Sequence, residues 1–135
     1  MQQNLETGLT TTARILVDEP RTISFMGDEG RVYATPELVR DIEITCRDLL
    51  LEHIDAGEDS VGTHIDVAHI AATPIGTWVD ITVTVTAAEG RSISFNIEAH
   101  DAVEKICRGT HSRFVVDVTK TISRLQGKID AINAL

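Results

Sequence analysis

The sequence predicts an α+β domain in which a curled antiparallel sheet wraps around one long helix. Three observations carry this. A helix signal with a defined start and an apolar arc lies between residues 34 and 53. After residue 60 the hydrophobic period changes to two. The later apolar runs are joined by turns too short for anything but antiparallel pairing.

The elements follow in order. Residues 9–17 read as a strand, with threonines leading into Ile15, Leu16 and Val17, and Asp18-Glu19-Pro20 breaks it. Residues 21–25 can form a second short strand. Gly27-Asp28-Glu29-Gly30 is a loop. In Ala34-Thr35-Pro36-Glu37, Thr35 suits the N-cap, Pro36 the first helical position and Glu37 the positive end of the helix dipole. The helix is predicted over 36–53. At about 100° per residue, Thr45, Leu38, Leu49, Ile42, Cys46, Val39 and Leu50 share one apolar face. Ile44 and Leu51 form a second stripe opposite, so the helix is expected to be covered on more than one side.

Residues 61–71 form the next strand, ended at Thr73-Pro74. Residues 77–86 alternate cleanly, with Val79, Ile81, Val83 and Val85 on one face. Residues 92–99 follow, with Ile93, Phe95 and Ile97 inward. A long last strand covers 102–119, with a bulge expected at Gly109. Ile122, Leu125, Ile129 and Ile132 then mark an amphipathic C-terminal helix. No internal repeat or linker divides the chain, so residues 1–135 are read as a single domain. Only the helix over 36–53 is long and apolar enough to cover the sheet.

Composition narrows the function classes. Aromatic residues make up 4% and net charge is −9, which argues against a nucleic-acid binder that needs stacking platforms and a basic face. No apolar run is long enough to span a membrane, and the polar start has no leader-like pattern. Cys46 and Cys107 are expected to be unpaired thiols in a reducing cytoplasm.

Three residues could carry chemistry, and each also has a plain structural reading. Glu43 sits at the edge of the apolar helix face, where half-burial would favour its protonated form; otherwise it pairs with Arg47, four residues on. His69 shares a strand face with Ile65, Val67 and Ala71, which suits an acid/base group or a satisfied core histidine. Thr35 is explained by capping, yet a helix start also gathers free N–H groups suited to an oxyanion. No metal site is expected: His64 and His69, five apart on a strand, point to opposite faces. No Gly-rich phosphate loop or Gly-x-Ser-x-Gly elbow is present, and His111-Ser112-Arg113 is not spaced as a triad.

Taken together, the motifs are more specific than any one alone. Ala34-Thr35-Pro36, Glu43, Val61-Gly62-Thr63, His69-Ile70-Ala71-Ala72-Thr73-Pro74, Ala99-His100-Asp101 and Gly109-Thr110-His111-x-Arg113 resemble the fluoroacetyl-CoA thioesterase family of hotdog hydrolases. The pattern lies along the chain without a gap from Thr35 to the last strand. The resemblance implies the hotdog fold and hydrolysis of an acyl-CoA or related acyl-pantetheine thioester. It implies a catalytic set of Thr35, Glu43 and His69, substrate contacts at Gly62 and Arg113, and a looser match at Ile23. It implies no cofactor. The family's segment before the catalytic threonine is longer and aromatic and acts as a lid. Here residues 25–33 are shorter, glycine-rich and acidic, so a more open, mobile lid and larger acyl groups are expected.

Arg91, Lys105, Arg108 and Lys120 are candidates for CoA phosphates. The exposed sheet edge expected in this fold predicts a homodimer or a dimer of dimers. Two other readings compete: a non-catalytic hotdog module that binds a hydrophobic acid or natural product, and a hotdog dehydratase, whose His and acid signature is not found.

Overall fold

The computed structural model describes residues 1–135. Its elements run β1 (Thr10–Leu16), β2 (Thr22–Ile23), β3 (Val32–Tyr33), α1 (Thr35–Leu51), β4 (Glu58–His69), β5 (Trp78–Glu89), β6 (Ser92–His100), β7 (Lys105–Asp117) and α2 (Val118–Asn133). Five strands form one antiparallel sheet in the order β1-β5-β6-β7-β4. α1 lies against it, as the hotdog expectation requires.

The period-two runs form the floor. Val79, Ile81 and Val83 of β5 and Ile93, Phe95 and Ile97 of β6 are fully buried. Each such side chain contributes roughly 1.5–3 kcal/mol relative to leaving it exposed. Leu38, Ile42, Cys46, Leu49 and Leu50 of α1 close on them in a cluster of 20 buried residues.

Several expectations are corrected. Thr35 is the first helical residue and not the cap: Ala34 takes the N-cap position, with no side-chain capping bond. The segment before the helix holds two short strands instead of one. β2 and β3 pair as a ribbon, Thr22 opposite Tyr33 and Ile23 opposite Val32. Ile44 and Leu51 lie exposed on the outer side of α1, because the chain supplies only one layer to cover the helix. The bulge is not at Gly109. β7 itself shifts against β6 at Ile106, between the Ala99–Cys107 and His100–Lys105 pairs, and β4 bulges against β7 at Thr63. Gly109 is required for another reason: a Cβ there would run into the Asp66 carbonyl and the Val67 Cα. The C-terminal helix forms as expected, but no residue of it is buried.

β4 is a sheet edge of twelve residues containing neither proline nor lysine. Val61 and Ile65 on it are exposed. Such an edge offers its free backbone groups to another strand.

Candidate active site

The end of β4 sets its last residue, His69, against the start of α1. Thr35 Oγ1 and His69 Nδ1 lie 2.8 Å apart. The hydroxyl is free for this contact because it does not cap the helix. His69 is half-buried, and burial pulls its pKa below the ordinary imidazole value; the nearby Ala71 backbone opposes that only weakly. Nε2 is buried and makes no hydrogen bond. A neutral imidazole has one accepting nitrogen, so the pair has the geometry of a hydroxyl held by a base. Thr35 also sits where the helix leaves its first N–H groups without intrahelical partners. Ile23, Val32, Tyr33, Thr35, His69 and the run from Ile70 to Ala72 line a cleft of about 290 Å³. Ile23 and His69 therefore share one cleft.

Beneath this cleft lies a network that sequence reasoning missed. Asp41 is buried on the core side of α1. It accepts the Tyr33 hydroxyl and a two-pronged bond from Arg21, at 2.9 Å from Nε and 3.2 Å from Nη2. Asp18 accepts from the same guanidinium at 2.9 Å. Burial and the Asp41 bond hold the Tyr33 phenol protonated far above its usual range. The Tyr33 ring meets the His69 ring edge-on, centroids 6.5 Å apart. The network thus ties the β2–β3 ribbon to α1 and sets a wall of the cleft. Asp41 four residues before Thr45 reads on a helical wheel as a polar interruption, which hints at burial only once a partner is known.

Glu43, Gly62 and Arg113 form a second cluster. The Glu43 side chain is 44% exposed and lies 3.7 Å from Arg113 Nη1. It does not pair with Arg47, whose guanidinium bonds Asp59 instead at 2.9 and 2.8 Å. Arg113 is buried and fixed by Ser60, Nε to Oγ at 2.7 Å and Nη2 to the carbonyl at 2.9 Å. His111, given no role by spacing, is buried here too. Its Nδ1 donates to the His64 carbonyl at 2.7 Å, and Arg113 Nη1 lies 3.3 Å from its Nε2. Gly62 stands opposite Arg113 in the sheet. A Cβ on it would press into Glu43 Oε1 and sit 3.3 Å from His111 Cε1. Glu43, Gly62, Thr63, His64, Ile65 and His111 line an open cleft of about 260 Å³.

Within one chain the two clusters are apart. Eight residues of helix separate Thr35 from Glu43, about 12 Å of rise. Seven residues of strand separate Gly62 from His69, about 23 Å. The six predicted site residues thus fall into Ile23, Thr35 and His69 at one end of α1, and Glu43, Gly62 and Arg113 further along it. No group of three His, Cys, Asp or Glu side chains is placed to hold a metal. Burial raises the thiols of Cys46 and Cys107 to about 12 and 11, so neither is a ready nucleophile.

Comparison with known proteins bears on this geometry. Residues 17–119 match the family model described as fluoroacetyl-CoA-specific thioesterase. The fluoroacetyl-CoA thioesterase of Streptantibioticus cattleyicolor is 32% identical over 97% of this chain and 99% of its own length. A solved structure of fluoroacetyl-CoA thioesterase superposes with a TM-score of 0.85 at 32% identity, covering 93% of this chain and 98% of that one. A thioesterase superfamily member from Thermus thermophilus superposes with a TM-score of 0.89 over 99% of this chain and all of its own; at 20% identity it speaks to the fold alone.

Proposed function

The chain belongs to the fluoroacetyl-CoA-specific thioesterase family and is an acyl-CoA thioester hydrolase; from that premise we propose that Thr35, Glu43 and His69 carry the reaction across an interface between two copies. The observation that supports this most is the split itself. Each chain holds a hydroxyl–imidazole pair at one place and a carboxylate over a glycine and an arginine at another.

Antiparallel pairing of the free β4 edge with its own copy joins the halves. In the register that sets Gly62 beside the partner's His69, the dyad falls between Ile65 and Asp66. Glu43 of one chain then approaches Thr35 and His69 of the other. The exposed Ile65 lies at the centre of that contact. A C₂ pairing of this kind makes two equivalent sites.

The chemistry follows from the groups. An oxygen nucleophile, Thr35 Oγ1 or a water held by Glu43, attacks the thioester carbon and loses its proton to the neutral His69 or to Glu43. The oxyanion is met by free N–H groups at the start of α1 and by the backbone at Gly62. Collapse expels the CoA thiolate, which takes the proton back; if water attacked, the free acid leaves directly, and if Thr35 attacked, a water then hydrolyses the acyl ester left on its Oγ1. Arg113 holds Gly62 and Glu43 in place from below. The two unpaired thiols fit a reducing cytoplasm.

Subunit complementation tests the composite site. Glu43→Gln and His69→Ala are each purified, mixed under exchange conditions, and assayed for thiol release from acyl-CoA. In a one-to-one mixture half the dimers are mixed, and each carries one intact site, so about a quarter of parental activity returns. A mixture no more active than its parts refutes the shared site. A monomeric mass by light scattering at micromolar concentration refutes the dimer as well.

A further inference from the structure

On a chain of net charge −9, one cavity reverses the sign. It holds about 250 Å³ where β7 runs into α2, with Arg91, Lys120 and Arg124 set around Phe114, Val116 and Asp117. Three cations and one carboxylate line it; Glu58 pairs with Arg91, Asp117 is engaged as a cap, and Lys120 and Arg124 are the surplus cations. Asp117 Oδ1 accepts the Lys120 backbone N–H at 3.0 Å as the cap of α2. Arg91 is fixed, its Nη1 donating to Glu58 at 2.8 Å and to the Val115 carbonyl at 3.3 Å. Lys120 and Arg124 stand four residues apart on α2, and neither forms an ion pair within the chain. Like charges at that spacing work against the helix, so an anion between them would relieve a cost the fold carries. The Phe114 side chain is 42% exposed beside them, an apolar face next to a basic rim.

A second cavity with two cations does not share this character. Over the β4–β7–β6 surface, Lys105 and Arg108 are matched by Asp66 and Glu98. Lys105 Nζ donates to Glu98 at 2.9 Å, so that cleft offers an anion no excess charge.

We infer that the cavity at the β7–α2 junction takes the nucleotide end of the CoA substrate. The phosphates meet Arg91, Lys120 and Arg124 as charge-assisted partners, and the adenine lies against Phe114. This rests on the acyl-CoA reading above and on the β4 pairing that goes with it. Phe114 stands opposite Val61, one residue from the Gly62–Arg113 pair. In the proposed register Gly62 meets the partner's His69, the last residue of its β4. Residues 58–61 therefore have no strand beside them, and a pantetheine arm can pass there from the basic cavity to the shared site.

The test uses the Lys120→Glu, Arg124→Glu double variant, with butyryl-CoA and butyryl-pantetheine as paired substrates. Both positions are exposed, and circular dichroism checks that the fold is kept. KM for butyryl-CoA rises about tenfold or more and the parent's KM climbs with salt, as lost and screened charge contacts require. KM for butyryl-pantetheine, which lacks the nucleotide, does not follow. An unmoved KM for butyryl-CoA, or an equal rise for both substrates, overturns the site. Calorimetric titration with adenosine 3′,5′-bisphosphate separates this inference from the hydrolase reading. If the parent cleaves none of fluoroacetyl-, acetyl-, butyryl- and phenylacetyl-CoA yet binds the bisphosphate and the double variant does not, the proposed catalytic set falls and the cavity stands.

Discussion

At the start of α1, Thr35 meets a histidine that burial keeps neutral, over a buried network of Tyr33, Asp41 and Arg21. About two turns on, Glu43 stands half-exposed above a buried Arg113 and a glycine. The first cluster is preorganised by hydrogen bonds inside one chain. The second has a rigid floor and an open top. Proton transfer needs a fixed partner distance, so the hydroxyl and imidazole are held by the fold itself. In the proposed dimer, the partner would finish the surroundings of Glu43. Hydrogen bonds inside one chain complete the first cluster, whereas Glu43 keeps an open side.

The sharpest way to break this comparison is at His69. His69→Ala should leave the fold intact and lower kcat/KM by roughly 100-fold or more, as expected for lost acid–base catalysis. An unchanged rate on the best substrate ends its role. The same residue sets a pH expectation. Burial lowers its pKa, so the active neutral form persists as pH falls through the ordinary value of about 6.5. The acid limb of kcat/KM should lie below that value. The sign for stability agrees: a base with a depressed folded pKa contributes stability above its unfolded pKa and loses it as pH falls. An acid limb above the ordinary value would contradict the burial.

The network under the first cluster comes next. Asp41→Asn removes a buried carboxylate from Arg21 and Tyr33 and should cost about 2 kcal/mol in denaturant unfolding. Tyr33→Phe keeps the shape and should cost about 1 kcal/mol. If the first cluster depends on this support, Asp41→Asn also lowers kcat, whereas Glu43 and Arg113 keep their contacts. A kcat unchanged in a stably folded variant separates the network from the site.

Much of this was legible in the sequence, and what was not has physical causes. The sheet could be read because period-two runs bury one face strand after strand. The long helix could be read because Pro36 and the apolar arc mark it. Thr35, Glu43 and His69 stood out by their places on helix and strand; motif resemblance gave them roles and added Ile23, Gly62 and Arg113, and all six line or support one of the two clusters. What the sequence hid was pairing at a distance. Thr35 looked like a cap because capping is local, whereas its real partner is 34 residues away. Glu43 looked like a mate for Arg47 because the spacing fits, but Asp59 on β4 takes that arginine. Asp41 is a charge in a core stripe, and nothing local announces Arg21 and Tyr33 as its partners. β2 and β3 are two residues each, too short to show a period.

Gly62 tests the second cluster. Gly62→Ala places a Cβ against Glu43 Oε1 and close to His111. Glu43 is the flexible end of an exposed side chain, so it can swing aside at little cost to stability. Displacing a reacting group by about 1 Å can cost up to 100-fold in rate, and a tenfold or larger fall in kcat is expected with little change in the unfolding midpoint. Loss of stability without loss of rate would mean that the glycine serves packing alone.

The smallest effect concerns the segment over the first cluster. Its root is tied down through Arg21 and Tyr33, but its tip is not. Phe25 is 89% and Met26 72% exposed, and Gly27 turns the chain with φ at 86°. Arg31 reaches Asp28 at 3.1 Å and Glu19 at 3.6 Å, but exposed pairs of this kind hold a loop only weakly. Tyr33, at the end of the segment, is a buried wall of the 290 Å³ cleft, whereas Phe25 does not line it. A small apolar difference is worth only about 1–3 kcal/mol even in a well-made pocket, and an open one does worse. Fluoroacetyl-CoA and acetyl-CoA should therefore be cleaved with similar kcat/KM, and bulkier groups should be preferred. Side-by-side assays of fluoroacetyl-, acetyl-, butyryl- and phenylacetyl-CoA decide the matter. A preference for fluoroacetyl-CoA above about 1000-fold, beyond what apolar contact supplies, would mean that the Phe25–Met26 tip folds inward over bound substrate and seals the cleft.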